Sequence, residues 1–133
     1  PAFTQKRLVE AGYLGRKSGR GYYEYGEGAP AVEPNRDPEL GRQIAERVVM
    51  MLINEAADAL YWGVASKQDI DLAMTRGVNY PRGLFAWADE MGIEHLVETL
   101  DRCFAYYHEE RYRCSPLLRE MVRNKSRFYP RSA

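Results

Sequence analysis

Three features of this 133-residue sequence predict an all-α fold. Asp37-Pro38-Glu39 is a strong helix start, combining a capping carboxylate, a proline at the first helical position and an acid in the first turn. Ile93, Leu96, Val97, Leu100, Phe104 and Tyr107 recur at the i, i+3/i+4, i+7 spacing of one helix face. No segment alternates apolar and polar residues long enough to make a convincing strand. The expected architecture is a compact bundle of about five helices behind a short irregular N-terminal segment.

The elements follow in order. Thr4 can cap a short helix over Gln5 to Ala11 that stops at Gly12. Tyr13 to Gly21 is basic and punctuated by glycine, and Tyr22-Tyr23-Glu24-Tyr25 reads as a short extended aromatic stretch. The residues from Gly26 to Arg36 lack periodicity and hold two glycines and two prolines, which is a linker composition. The helix opened by Asp37 runs to about Trp62 and ends at Gly63. Its middle, Val48 to Ile53, is continuously apolar, which predicts a central helix buried on most sides.

Ser66-Lys-Gln-Asp69 resembles a capping box with Asp in the place of the usual Glu or Gln. It opens a short helix through Ile70, Ala73 and Met74 that closes at Gly77. A loop holding Pro81 follows, then a helix from about Leu84 to Gly92, then the amphipathic helix that starts at Ile93. Ser115-Pro116 restarts a helix holding Leu117, Leu118, Met121 and Val122. One internal echo is faint and gapped, within the reach of chance. Leu8-Val9, Lys17 and Tyr22-Tyr23 are matched in order by Met121-Val122, Lys125 and Phe128-Tyr129, as in a duplicated module.

Composition narrows the function. With 45% hydrophobic residues the chain can build one core, and its formal net charge of zero gives no support to a general nucleic-acid binder. The zero is a cancellation. Residues 1–36 carry six basic and four acidic groups, residues 37–111 seven and fourteen, and residues 112–133 six and one. Basic ends that fold back would neutralise the acidic body. No apolar run approaches the ~18 residues needed to cross a bilayer, and no signal peptide is visible. Cys103 and Cys114 are too few for a disulfide scaffold and are not spaced for zinc, so no metal site and a reduced, cytoplasmic setting are expected. The chain opens on Pro1 rather than Met, as a piece of a longer chain would.

The residues encode no complete active site. No strand followed by G-x-G-x-x-G is present, so no dinucleotide fold is expected. Gly15-Arg-Lys-Ser-Gly-Arg-Gly21 has the glycines and cations of a phosphate cradle without the Walker spacing, and a structural turn explains the same composition. His95 and His108 lack a ligand or base partner at helical spacing and read as exposed or partly packed. Asn54-Glu55 follows the apolar run, so at least one of the pair is expected to be buried and hydrogen-bonded. Gly77-Val-Asn-Tyr-Pro81-Arg-Gly83 shapes a loop ahead of a helix N-terminus whose N–H groups are open to a carbonyl or an anion.

Arg47-Val-Val-Met-Met-Leu-Ile-Asn54-Glu55-Ala56, Gly63-Val-Ala, Asp69-Ile-Asp71-Leu-Ala-Met74 and the Gly77–Gly83 loop together resemble the C-terminal helical domain of the 3-hydroxyacyl-CoA dehydrogenase family. Gly15-Arg-Lys17-Ser-Gly19-Arg-Gly21-Tyr-Tyr23-Glu-Tyr25 resembles the G-x-K-x-G-x-G-F-Y-x-Y element that ends such a domain. Here that element comes first, as in bacterial members with two tandem helical domains. The resemblance implies that residues 1–26 are the tail of a preceding helical domain, 27–37 a linker and 38–130 the C-terminal helical domain. The implied fold is the helical bundle of the 6-phosphogluconate dehydrogenase C-terminal type.

The resemblance further implies NAD-dependent oxidation of a 3-hydroxyacyl-CoA by the full-length parent, in fatty-acid or phenylacetate catabolism. The family's His–Glu dyad belongs to an N-terminal Rossmann domain, so this fragment would bind no NAD and hold no catalytic residue. Its missing partners would be that Rossmann domain and the first helical domain. The family's substrate-proximal asparagine precedes an arginine; Glu46-Arg47 stands here, and a carboxylate would repel a thioester oxygen as it gains charge. The loop ends in Gly83-Leu84 rather than Gly-Pro. Both departures imply a non-catalytic copy that serves packing, homodimer formation through helix faces and closure of the acyl-CoA site. Arg47, Asn54, Glu55, Gly77, Pro81 and Gly83 are then substrate-proximal or structural. The alternative is a free-standing acyl-CoA-binding module that uses Arg16, Lys17 and Arg20 on the CoA phosphates.

Overall fold

Six α-helices form among residues 2–129, the part of the chain that the computed structural model describes. These residues divide between Arg36 and Asp37 into two units. The first holds α1 (Phe3–Glu10) and a 3-10 turn at Arg16–Ser18. Helix α1 begins at Phe3, one residue ahead of Thr4, with Ala2 at its N-cap, and no side chain caps it, so the expected Thr4 cap is not used. Ser18 closes the glycine-rich turn on itself. Its hydroxyl accepts the Leu14 N–H at 2.7 Å and donates to the Arg20 carbonyl at 2.9 Å. The expected extended stretch at Tyr22–Tyr25 is reduced to an isolated bridge between Arg20 and Glu24. None of residues 2–36 is buried.

The second unit is built around α2 (Pro38–Tyr61), which starts as its sequence predicts. Asp37 Oδ1 accepts the N–H groups of Glu39 and Leu40 at 2.9 and 3.4 Å, leaving Pro38 where a missing N–H costs nothing. Met50, Ile53, Asn54, Ala56 and Ala57 are buried. Val48 is 46% exposed, so the apolar run is not enclosed on most sides as expected. Helices α4 (Leu84–Met91), α5 (Ile93–Tyr107) and α6 (Pro116–Asn124) pack on one broad face of α2 and leave the other to solvent. Phe85, Leu96, Leu100 and Leu118 meet α2 in the core.

Helix α3 (Lys67–Leu72) opens on the expected Ser66 cap. Ser66 Oγ accepts the Asp69 N–H at 3.2 Å and donates to the Asp69 carboxylate at 2.6 Å. It widens into a π-helical turn at Ala73–Gly77, where the Thr75 hydroxyl donates to the Asp71 carbonyl at 2.9 Å. Gly92, at φ 90°, ends α4 and starts α5 in one residue, a conformation open to glycine.

Three side chains join these helices through main-chain groups. Asn54 is buried; its Nδ2 donates to the Arg113 carbonyl at 2.9 Å and its Oδ1 accepts the Ser115 N–H at 2.8 Å. Asp71 reaches the N-terminus of α4, accepting the Phe85 N–H at 2.9 Å and the Ala86 N–H at 3.3 Å. Gly83 lies so close that a Cβ there would sit 2.2 Å from the Asp71 Cγ. Asp89, on α4, accepts the N–H groups of Phe128 and Tyr129 at 3.0 and 2.7 Å. The Phe128 ring then stacks 4.3 Å from Phe85, and the Tyr129 hydroxyl donates to Asp71 at 3.1 Å. The basic residues that follow Tyr112 do fold back on the acidic body: Arg113 pairs with Asp58, Arg119 with Asp101 and Arg127 with Asp89. Residue 130, the expected end of the domain, lies outside the described residues.

Replacing Asn54 by Ala should leave the buried Ser115 N–H and the half-buried Arg113 carbonyl without this partner. A loss of about 2–4 kcal/mol in unfolding free energy by urea titration is expected. Burial, and then the facing Asp71 carboxylate, push the Tyr129 hydroxyl up to about 12 from an ordinary 10.0. Between those values the folded state keeps a proton that the unfolded state has lost, so stability falls as the pH rises from 10 to 12. Denaturant midpoints measured across that window should drop more steeply for the native chain than for Tyr129→Phe.

Candidate functional site

Helices α2 and α5 leave an open cleft of about 500 Å³ between them. Arg42, Glu46 and Arg47 line it from α2, and His95, Arg102 and Cys103 from α5. These positions follow from helical spacing: Arg42 and Glu46 are four residues apart, and Glu46 and Arg47 flank the edge that turns away from the buried face. Two smaller recesses border the cleft. One, of about 290 Å³, is apolar on the side of Val49, Trp87 and Met91; the other, of similar volume, is lined by Tyr106 and Tyr107.

Glu46 is held from two sides. Arg42 donates to its Oε2 at 3.2 Å, and its Oε1 is paired with the His95 imidazole. Arg42 also forms two hydrogen bonds to Glu39, which hold the Glu39 carboxyl down to about 2 from its ordinary 4.5. The Glu46 side chain is 20% exposed and His95 is 49% exposed. A carboxylate so placed only accepts hydrogen bonds; it can orient a base or hold a cation, but it has no N–H to offer a developing oxyanion.

Arg47 points across the cleft floor to the far end of α5. Its Nε donates to the Tyr112 hydroxyl at 3.0 Å and its Nη1 to the Tyr107 hydroxyl at 3.1 Å. The guanidinium also lies over both rings, 4.5 Å from the centre of Tyr107 and 5.0 Å from that of Tyr112. These bonds, the one to Tyr112 foremost, raise the arginine's affinity for its proton still further. Arg102 donates to the Thr99 hydroxyl at 3.4 Å. Cys103 is half-buried on the cleft wall, while Cys114 is buried deeper and its thiol is pushed up to about 11 by that burial.

The structure gathers only some of the residues singled out from the sequence. Glu46 and Arg47 share the cleft. Asn54 faces the interior and is consumed by the 113–115 main chain, while Glu55 is exposed. Gly77, Pro81 and Gly83 lie in the loop around the start of α4. The N–H groups there, read as open to an anion, are taken by Asp71 at Phe85 and Ala86. Arg16 stacks on Tyr25 at 5.1 Å, and Arg20 lies over Tyr13 at 4.6 Å and beside Glu24 at 4.0 Å. Lys17 is exposed. His108 ends α5 in the left-handed conformation, with an exposed ring.

Sequence reasoning missed His95 as the partner of Glu46. The two are 49 residues apart, so no local spacing marks them. It also missed Tyr112, which supplies the cleft floor from a 3-10 turn at Glu110–Tyr112. Among the described residues no group of three His, Cys, Asp or Glu is arranged to hold a metal ion, and no helix is long and apolar enough to cross a membrane.

Residues 44–128 match the family described as 3-hydroxyacyl-CoA dehydrogenase, C-terminal domain. The chain is 53% identical over 74 residues to 3-hydroxyadipyl-CoA dehydrogenase of Escherichia coli (strain K12), an alignment covering 56% of this chain and 16% of that protein. It is 34% identical over 143 aligned residues to the fatty acid oxidation complex subunit alpha of Shewanella sp. (strain MR-4), covering 92% of this chain and 20% of that one. The chain thus spans a fifth or less of the length of these curated relatives. Among solved structures it is similar to 3-hydroxybutyryl-CoA dehydrogenase from Escherichia coli K12, with a TM-score of 0.68 at 27% identity over 93% of this chain and 44% of that one. A (S)-3-hydroxybutyryl-CoA dehydrogenase from Ralstonia eutropha gives 0.63 at 30% identity over 66% and 34%.

The two charged features of the cleft should differ in weight. Arg47→Lys cannot reach both tyrosine hydroxyls and should cost about 1–2 kcal/mol. Glu46→Gln, which loosens a solvent-facing pair, should cost under about 1 kcal/mol. Urea unfolding of both variants ranks them; an equal or reversed order contradicts the assignment of Arg47 as the floor of the cleft.

Proposed function

The chain belongs to the 3-hydroxyacyl-CoA dehydrogenase family, by the match of that family's C-terminal domain to residues 44–128, and on that footing we propose that it is the closing helical region of a longer enzyme that oxidises a 3-hydroxyacyl-CoA to the 3-ketoacyl-CoA with NAD. In this reading the parent serves fatty-acid or phenylacetate catabolism in the cytoplasm. Residues 1–26 end one helical domain, 27–37 link, and 38–130 form a second.

The observation that carries the role of this second domain is the state of Glu46. Where the family resemblance puts an amide beside the substrate, this chain has a carboxylate tied to Arg42 and His95. A thioester oxygen that gains charge is stabilised by donors and opposed by a carboxylate. The domain therefore acts by packing: α2 and α5 present the cleft edge, and Arg47 with Tyr107 and Tyr112 stiffens its floor. Its apolar helix edges are the surfaces through which the parent would form a homodimer. Val48 and Ile44, four residues apart on the solvent side of α2, are such an edge.

The residues present do not suit a nicotinamide cofactor. The glycines of Gly15–Gly21 follow no strand among the described residues, and the Ser18 hydroxyl fills the turn they make. Hydride transfer and the proton transfer that accompanies it belong, in our reading, to the Rossmann domain of the parent.

A purified 133-residue chain mixed with acetoacetyl-CoA and NADH should show no loss of absorbance at the nicotinamide band, and Glu46→Asn should not change that. Turnover by the chain alone would overturn the packing role. Calorimetry with an acyl-CoA separates the remaining alternative, since saturable heat abolished by Arg16→Ala and Arg20→Ala would identify a free-standing CoA-binding module.

A further inference from the structure

The sequence echo acquires a physical meaning from the place its second instance occupies. Lys125-Ser126-Arg127-Phe128-Tyr129 follows α6 and lies in a built seat. Phe128 is 5% exposed against Phe85. Asp89 takes the two main-chain N–H groups of the Phe-Tyr pair, and the Arg127 guanidinium donates to the Asp89 carbonyl at 2.7 Å. Asp71 takes the Tyr129 hydroxyl, while the Lys67 ammonium donates to the Phe128 carbonyl and lies 4.8 Å from the Tyr129 ring centre. An aromatic pair is thus read by two carboxylates, a lysine and a ring.

The first instance, Lys17-Ser18-Gly19-Arg20-Gly21-Tyr22-Tyr23, repeats the lysine-serine, the arginine and the aromatic pair, with two glycines interposed. Its own unit gives it no such seat: Tyr22 is 64% and Tyr23 53% exposed. Aromatic side chains carry a large apolar area, and leaving two adjacent rings in water forgoes a stabilisation that their counterparts obtain. The segment is also basic, with Arg16, Lys17 and Arg20, and the seat that holds its counterpart is acidic, with Asp71 and Asp89.

We propose that the Arg20–Tyr23 segment is a docking element for a second helical domain bearing the same seat: a carboxylate at each of the places of Asp71 and Asp89, a lysine at that of Lys67 and an aromatic ring at that of Phe85. This deepens, and rests on, the reading that residues 1–26 end a like domain in the longer protein. Tyr22 brings a hydroxyl where Phe128 has none, so the partner's seat must give that hydroxyl an acceptor or an opening to water. The same geometry predicts cross-talk: a seat emptied of its own Phe-Tyr pair should accept the Tyr-Tyr pair from another molecule.

The test uses the full 133-residue chain carrying Phe128→Ala and Tyr129→Ala, which removes both rings from the seat, together with Tyr22→Ala and Tyr23→Ala, which remove the internal competitor. The probe is a synthetic peptide of residues 13–26. Saturable binding with a dissociation constant below about 1 mM is expected, with amide shifts confined to the surroundings of Asp71, Phe85 and Asp89. A peptide carrying Tyr22→Ala and Tyr23→Ala should bind at least about tenfold more weakly. No saturation, shifts centred elsewhere, or equal binding of the two peptides overturns the proposal. Should the variant chain lose its helical circular dichroism, recovery of that signal on adding the native peptide supports the proposal and failure to recover counts against it. A null titration strikes the docking alone. A parent protein with no helical domain ahead of residue 1 strikes the reading on which it rests.

Discussion

A main-chain N–H group that leaves water must find an acceptor, and short helices place many such groups inside a small bundle. Helices α3, α4 and α6 have only six, eight and nine residues, so their unpaired ends are a large part of each. The acceptors come from other elements. Asp71 on α3 serves the start of α4, Asp89 on α4 serves the closing Phe128-Tyr129 pair, and Asn54 on α2 serves the strand-like turn ahead of α6. Each side chain satisfies a donor and, in doing so, fixes the position of a segment distant in sequence.

The cleft inherits its shape from this arrangement. Asn54 holds Arg113 and Ser115 against α2, and the turn at Glu110–Tyr112 immediately precedes them. Tyr112 is therefore delivered to Arg47, whose bonds to Tyr112 and Tyr107 link the floor of the cleft to the end of α5. Likewise, Asp71 can approach the α4 terminus only because residue 83 has no side chain. The loop glycine and the aspartate form one device.

What was legible in the sequence was local. Asp37 and Ser66 cap the helices they immediately precede, and the periodic run that starts at Ile93 buries its face as far as Leu100, while Tyr107 at its end is exposed. These signals act within one or two turns, where spacing along the chain is spacing in space. The Thr4 cap failed because α1 is held by no packing that would choose one starting residue over its neighbour, and none of its residues is buried. The burial of Val48–Ile53 was overestimated because a continuous apolar run does not state how many neighbours surround it. The reach of Asp71 and Asp89 and the pairing of Glu46 with His95 join separate elements, so only the folded arrangement reveals them. The family resemblance carried the rest, since its motif includes Asp71 and the Gly77–Gly83 loop that this aspartate organises.

The separation between these two groups of residues bears on how a domain could lose a catalytic amide and keep its fold. Asn54, Asp71 and Asp89 satisfy buried main-chain groups and lie away from the cleft mouth. Glu46 sits at that mouth, where a carboxylate costs little because Arg42 and His95 are at hand and solvent reaches the pair. Under the reading proposed for this chain, exchange of an amide for a carboxylate there would be lethal to chemistry and nearly neutral to folding. The reverse holds at Asn54: the same exchange would bury a charge and remove the donor to Arg113. On that reading, a copy released from catalysis is free to change at residue 46 and constrained at residue 54, so an altered site would leave the fold recognisable.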